Sequence, residues 1–89
     1  MVPVKWTDES INAISSRQDL AAYLQHLSQG MRAGVVRIEN PSTIDYVSAA
    51  SRWTESMDGY FENVVGQPVP DQPDWAMIAA IFRAAVVYE

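Results

Sequence analysis

A mainly α fold is what this sequence predicts, and three observations carry that expectation. Apolar residues recur at helical spacing over three long stretches, and each stretch opens on a residue suited to cap a helix. Runs that alternate with the period of two are short and confined to the first half of the chain. The expected architecture is a compact three-helix domain spanning 1–89, with helices near 17–33, 42–65 and 74–89 and a short extra N-terminal turn. A minor two-stranded sheet pairing 2–6 with 35–38 is the alternative decoration. The 89 residues are one domain's worth of chain.

The N-terminal "VPVKW" places Val2, Val4 and Trp6 on one side of an extended segment, with Pro3 restricting any strand to an edge. Thr7 is a candidate cap for the turn that follows, with Asp8 and Glu9 in its first turn and Ile11 and Ile14 on its buried side.

The first long helix begins at Ser16 with Asp19 three residues on, a relative of the capping box. Leu20, Leu24, Leu27 and Met31 share one face, Tyr23 flanks it, and Gly34 is a natural stop. Gly30 marks a fraying point or a close contact. The run Val35–Ile38 is too short for a helix and serves as strand or linker.

The second helix is capped by Asn40 or Ser42, with Pro41 tolerated at its entry. Val47, Ala50, Trp53, Met57, Tyr60, Phe61 and Val64 fall on one wide face, opposite Asp45, Ser48, Arg52, Glu55 and Glu62. Gly66 and three prolines make a loop, and Asp74 caps the closing segment "DWAMIAAIFRAAVVYE". There Trp75, Ile78, Phe82 and Val86 form one stripe and Met77, Ile81 and Tyr88 a second. The rest is Ala76, Ala80, Ala84, Val87 and Arg83. A helix apolar all round is central or covered. The preferred reading is a central core helix with Arg83 paired to a carboxylate, and the competing one is an exposed alanine strip that meets a partner.

Composition excludes several classes of function. No cysteine is present, which removes disulfide and thiolate chemistry and suits the cytoplasm. The N-terminus has no apolar core of the kind a secretory signal needs. The closing segment is 16 residues with an arginine inside, whereas a membrane span needs about 20 apolar ones. The net charge of −5, with six scattered basic residues, argues against a nucleic-acid backbone as partner. One histidine, His26, leaves no zinc set and no catalytic triad, and the four glycines stand apart rather than in a phosphate loop. The pairs Asp58/Glu62 and Asp71/Asp74 read as solvated surface and helix cap rather than acid–base machinery. No catalytic residue, cofactor or metal is expected.

Four places carry a resemblance. They are the Ser16–Asp19–Leu20 helix start with Leu24 and Leu27, and the "IENPSTIDYV" element followed by Trp53. Pro73 with Trp75 is the third and the "AAVVYE" ending the fourth. Together, across residues 16 to 89, they resemble a family of small uncharacterised bacterial domains of unknown function. Ile38 stands where that family usually has an aromatic. The resemblance implies a compact helical domain and brings no activity with it. It draws attention to polar groups at element ends: Glu39 as a partner for Arg83, Asn40 as a cap for the second helix, and Tyr88 with Glu89. A fold-stabilising role for these groups is preferred to a functional one.

The function expected is non-enzymatic: a small acidic protein-interaction module of the bacterial cytoplasm, binding an unidentified protein or itself. An immunity-type inhibitor of a basic toxin is its concrete form, because acidic surface steers such an encounter. The alternatives are a homo-oligomeric structural protein and a small-ligand binder or enzyme using carboxylates and aromatics.

Overall fold

The computed structural model describes residues 4–88. Four α-helices follow one another: α1 (Glu9–Asn12), α2 (Arg17–Arg32), α3 (Thr43–Tyr60) and α4 (Trp75–Ala85). The fold is mainly α, and among the described residues there is no strand. Residues 4–6 and 35–38 therefore do not pair as a sheet, while Val2 and Pro3 lie outside the described residues.

Each helix start is capped by a side chain, which supplies an acceptor for backbone N–H groups that have no partner inside the helix. Ser16 accepts from Asp19 N at 3.1 Å, Ser42 from Asp45 N at 3.0 Å, and Asp74 from Met77 N at 2.8 Å. At α1 the cap is Asp8, accepting from Ser10 N at 2.9 Å, rather than Thr7. Asp19 also reaches back to Ser15 N at 3.0 Å, and this hydrogen bond holds its carboxyl below the usual value of 3.8.

Helix ends follow the glycines. Gly34 and Gly66 both adopt a left-handed φ of 76°, which a side chain resists. Before Gly66 the chain widens into one π-helical turn, Phe61–Val65, and Gly66 N donates to Phe61 O at 2.7 Å. Gly30 has a packing role: the chain folds back after α2, and Val35 N and Val36 N both bond to Gly30 O. A Cβ on Gly30 would stand 2.8 Å from Val36 Cγ2, too close for any side chain without a shift.

The core is entirely apolar, with no buried polar or charged residue among the described ones. Helix α4 runs through its centre and packs against α1, α2 and α3. From α3 the buried residues are Ala49, Trp53 and Met57, with Phe61 of the π turn, whereas Val47 and Val64 are exposed. Trp6 closes the core from the N-terminal side although it belongs to no regular element. Its backbone N–H and C=O form a reciprocal pair with the Asn12 amide, both at 2.7 Å. Its ring meets Phe61 edge-on at 5.2 Å and stacks with Tyr60 at 6.2 Å.

Helix α4 is the central helix of the preferred reading, but its bulky stripe is not all core. Ala76 and Ala80 are only 6% and 5% exposed, whereas Trp75 and Phe82 are 40% and 38% exposed. Ala76, Ala79 and Ala80 face inward together with Met77 and Val86, Ile78 is half-buried, and Trp75 and Phe82 are the members of the bulky stripe that face out. The physical reason is distance: a helix flanked by three others needs small side chains where backbones approach most closely. Alanine leaves that room, and Trp75 and Phe82 do not.

Candidate functional site

Two polar constellations meet on α4, one at its C-terminal end and one along its inner side. The first is a clasp. Helix α4 stops at Ala85, four residues short of the predicted end, where Val86 and Val87 form a turn. The last carbonyls of a helix lack internal partners, and here the "ENPSTIDY" element supplies them. Glu39 N and Asn40 N donate to Val86 O at 2.9 and 3.1 Å. The Asn40 side-chain amide donates to Ala85 O at 3.0 Å and Tyr88 O at 2.8 Å. The Tyr46 hydroxyl donates to Phe82 O at 2.8 Å, while its ring lies 6.4 Å from that of Phe82. The Tyr88 hydroxyl bonds Ser56 Oγ on α3 at 2.9 Å.

Asn40 therefore finishes the last helix instead of starting the second, a role that Ser42 takes. Glu39 does not reach Arg83, because its carboxylate pairs with Arg37 at 2.5 Å. Glu89 lies outside the described residues. Glu39, Asn40 and Tyr88 are thus brought together around the end of α4, with Tyr46 as a fourth member.

The second constellation is a cleft of about 290 Å³ between the N-terminal segment, α3 and α4. Trp6, Trp53 and Tyr60 wall it with aromatic surface, and Ala80, Ala84 and Val87 form its α4 side. Trp53 and Tyr60 have ring centroids 5.7 Å apart. Asp8 and Arg83 line this cleft and also a neighbouring one of about 380 Å³, which Tyr23 and His26 of α2 line as well. Burial and then the Asp8 carboxylate push the Tyr23 hydroxyl above its ordinary 10.0, with Arg83 pulling it back.

The two charges are not paired with each other. Among the described residues the single ion pair joins Arg37 to Glu39, so no carboxylate lies within 4.0 Å of the Arg83 guanidinium. The Asp8 Oδ1 atom is engaged by Ser10 N and Ser10 Oγ, and its second oxygen carries no bond from a described residue. The buried indole N–H of Trp6 is likewise without an acceptor. An unmatched N–H in such a place costs about 1–3 kcal/mol. No three His, Cys, Asp or Glu residues gather where a metal ion would sit, among the described residues.

A family model described as a family of unknown function, DUF7660, matches residues 16–89. The chain belongs to the DUF7660 family. No curated protein and no solved structure matches it. In this DUF7660 chain the clasp lies wholly inside the matched stretch, as do Trp53, Tyr60 and Arg83 of the cleft. Trp6, Asp8 and Ile11, which complete the cleft wall, precede it. Sequence reasoning singled out Arg83 but missed Trp6, Asp8, Trp53 and Tyr60 as its companions. The signal for them was slight: three aromatics and an acid that look like ordinary core and cap residues until the fold assembles them.

No helix among the described residues is long and apolar enough to cross a membrane.

Proposed function

We propose that this DUF7660 chain is a non-enzymatic protein-interaction module of the bacterial cytoplasm that takes a basic partner on the outer side of α4. The observation that carries the reading is the exposure of Trp75 and Phe82 on one side of α4, with the half-buried Ile78 between them and Tyr46 against Phe82. Large aromatics are expensive to leave in water and are the residues on which interfaces concentrate their energy. Asp74 immediately precedes Trp75 and Asp45 immediately precedes Tyr46, so acidic groups accompany the apolar stripe. The chain's net charge of −5 works against a second copy and in favour of a basic surface. An immunity-type inhibitor is the concrete version, and the cysteine-free composition supports the compartment.

The test is quantitative capture from native lysate with the wild-type chain and with Phe82→Glu, both confirmed as folded by circular dichroism. A basic protein held by the wild type, lost from Phe82→Glu and released by raised salt supports the reading. Capture that Phe82→Glu leaves intact defeats it. Sedimentation at micromolar concentration separates the remaining alternative: a dimer that Phe82→Glu dissolves makes self-association the function of the stripe.

A further inference from the structure

The cleft on the inner side of α4 has features the outer stripe lacks, and they define a ligand. Its volume of about 290 Å³ sits at the lower end of the range for small-molecule sites, room for a group of one-ring size. Three of its walls are aromatic rings, Trp6, Trp53 and Tyr60, and the α4 wall is opened by Ala80 and Ala84. Opposite charges, Asp8 and Arg83, line it without forming an ion pair with each other. A half-buried guanidinium with no anion among the described residues is held at a cost that a bound carboxylate would remove.

The charge pattern chooses among ligands. A simple carboxylate would satisfy Arg83 but be repelled by Asp8. A simple amine would meet the reverse problem, and a neutral apolar molecule would cover the half-buried Arg83 without matching its charge. Only a ligand carrying both charges beside an apolar group matches all the surfaces. We propose that the cleft binds a free α-amino acid with a bulky apolar or aromatic side chain. Its carboxylate is taken by Arg83, its ammonium by the uncommitted oxygen of Asp8, and its side chain by the Trp6, Trp53 and Tyr60 walls. Trp6 and Asp8 precede the family-matched stretch, so two of the five recognition residues come from the segment that this chain places before α2.

The site and the outer stripe lie on different sides of α4, so each survives the failure of the other. The test is titration of the full chain with L-phenylalanine or L-leucine, followed by amide and indole NMR. The expected result is saturable shifts at the indole N–H of Trp6 and Trp53, with Trp75 unmoved as an internal control. N-acetyl-L-phenylalanine, which lacks the ammonium, and L-phenylalanine amide, which lacks the carboxylate, should each bind at least about tenfold more weakly. Arg83→Met should abolish binding, and Ala84→Leu should do so by filling the cleft while leaving both charges in place. Phe82→Glu should bind as the wild type does. Absence of saturable shifts with either amino acid overturns the proposal. Equal binding of N-acetyl-L-phenylalanine overturns the role of Asp8 and with it the ligand class. Binding retained in Ala84→Leu overturns the location.

Discussion

The clasp and the cleft are built on the same short helix, yet they treat polar groups in opposite ways. At the C-terminal end of α4, Phe82 O, Ala85 O, Val86 O and Tyr88 O are each met by a donor from the 39–46 element. One residue beyond Phe82, Arg83 lines the aromatic cleft and its neighbour and meets no anion among the described residues. Buried polar groups are normally matched because leaving them unmatched is costly. Near the clasp the buried Trp6 indole N–H and the half-buried Arg83 stay unmatched among the described residues, while the exposed Asp8 keeps one oxygen toward solvent. The clasp supplies donors to the end of the helix, and the cleft is where the proposed ligand would find its partners.

Breaking the clasp should have the largest effect on stability. Asn40→Ala removes two hydrogen bonds to carbonyls at a partly buried helix end and leaves both without a donor. The expected loss is about 2–3 kcal/mol. For a domain of this size that lowers the melting temperature by roughly 10–20 °C, read by thermal or urea unfolding. Tyr46→Phe keeps the ring against Phe82 and removes a single hydrogen bond to Phe82 O, so about 1 kcal/mol should go.

Arg83→Met should behave differently. Methionine retains the apolar stem that packs against the core and removes a charge with no carboxylate to balance it. Stability should change by no more than about 0.5 kcal/mol, or rise slightly. A loss as large as that of Asn40→Ala would show that Arg83 is a structural residue like the clasp members, and the contrast between the two regions would collapse.

The helices were legible in the sequence because their signals are local. The caps Ser16, Ser42 and Asp74 bond three residues ahead, and the apolar periodicity of α2 lies within one element. What was not legible depends on distant partners. Asn40 resembles a cap for the helix just after it, yet its amide bonds residues 45 and 48 positions further on. Trp6 stood on the apolar side of a run that read as a strand, and its core partners Tyr60 and Phe61 lie far along the chain, so the local pattern gave its side but not its packing. The rotation of α4 was hidden for another reason. Hydropathy ranks Trp75 and Phe82 above alanine for burial, but the closest approach of helices is decided by side-chain size. The alanine strip is core at Ala76 and Ala80, as the preferred reading has it, and lines the cleft at Ala84 and Val87.

The smallest effect is also the most direct probe of how Asp8 and Arg83 share one environment. Tyr23 is raised by burial and by Asp8, and lowered by Arg83. A tyrosine whose folded pKa lies above its unfolded value favours the neutral phenol in the fold. Its contribution to stability is complete below about pH 10 and is lost as pH rises from there through the folded value. Removing Arg83 takes away the stabilising positive charge, so Arg83→Met should move the Tyr23 titration further up. Asp8→Asn should move it down. Tyr46 is raised by its own burial and then by Tyr23, with neither charge acting on it directly, so it should stay nearly in place in both variants. Ring-resolved NMR titration of the two tyrosines checks this. Opposite displacements of Tyr23 in the two variants would place both charges on the same phenol, as a ligand carrying two charges requires. Equal displacements in both would mean that Asp8 and Arg83 do not act at one site.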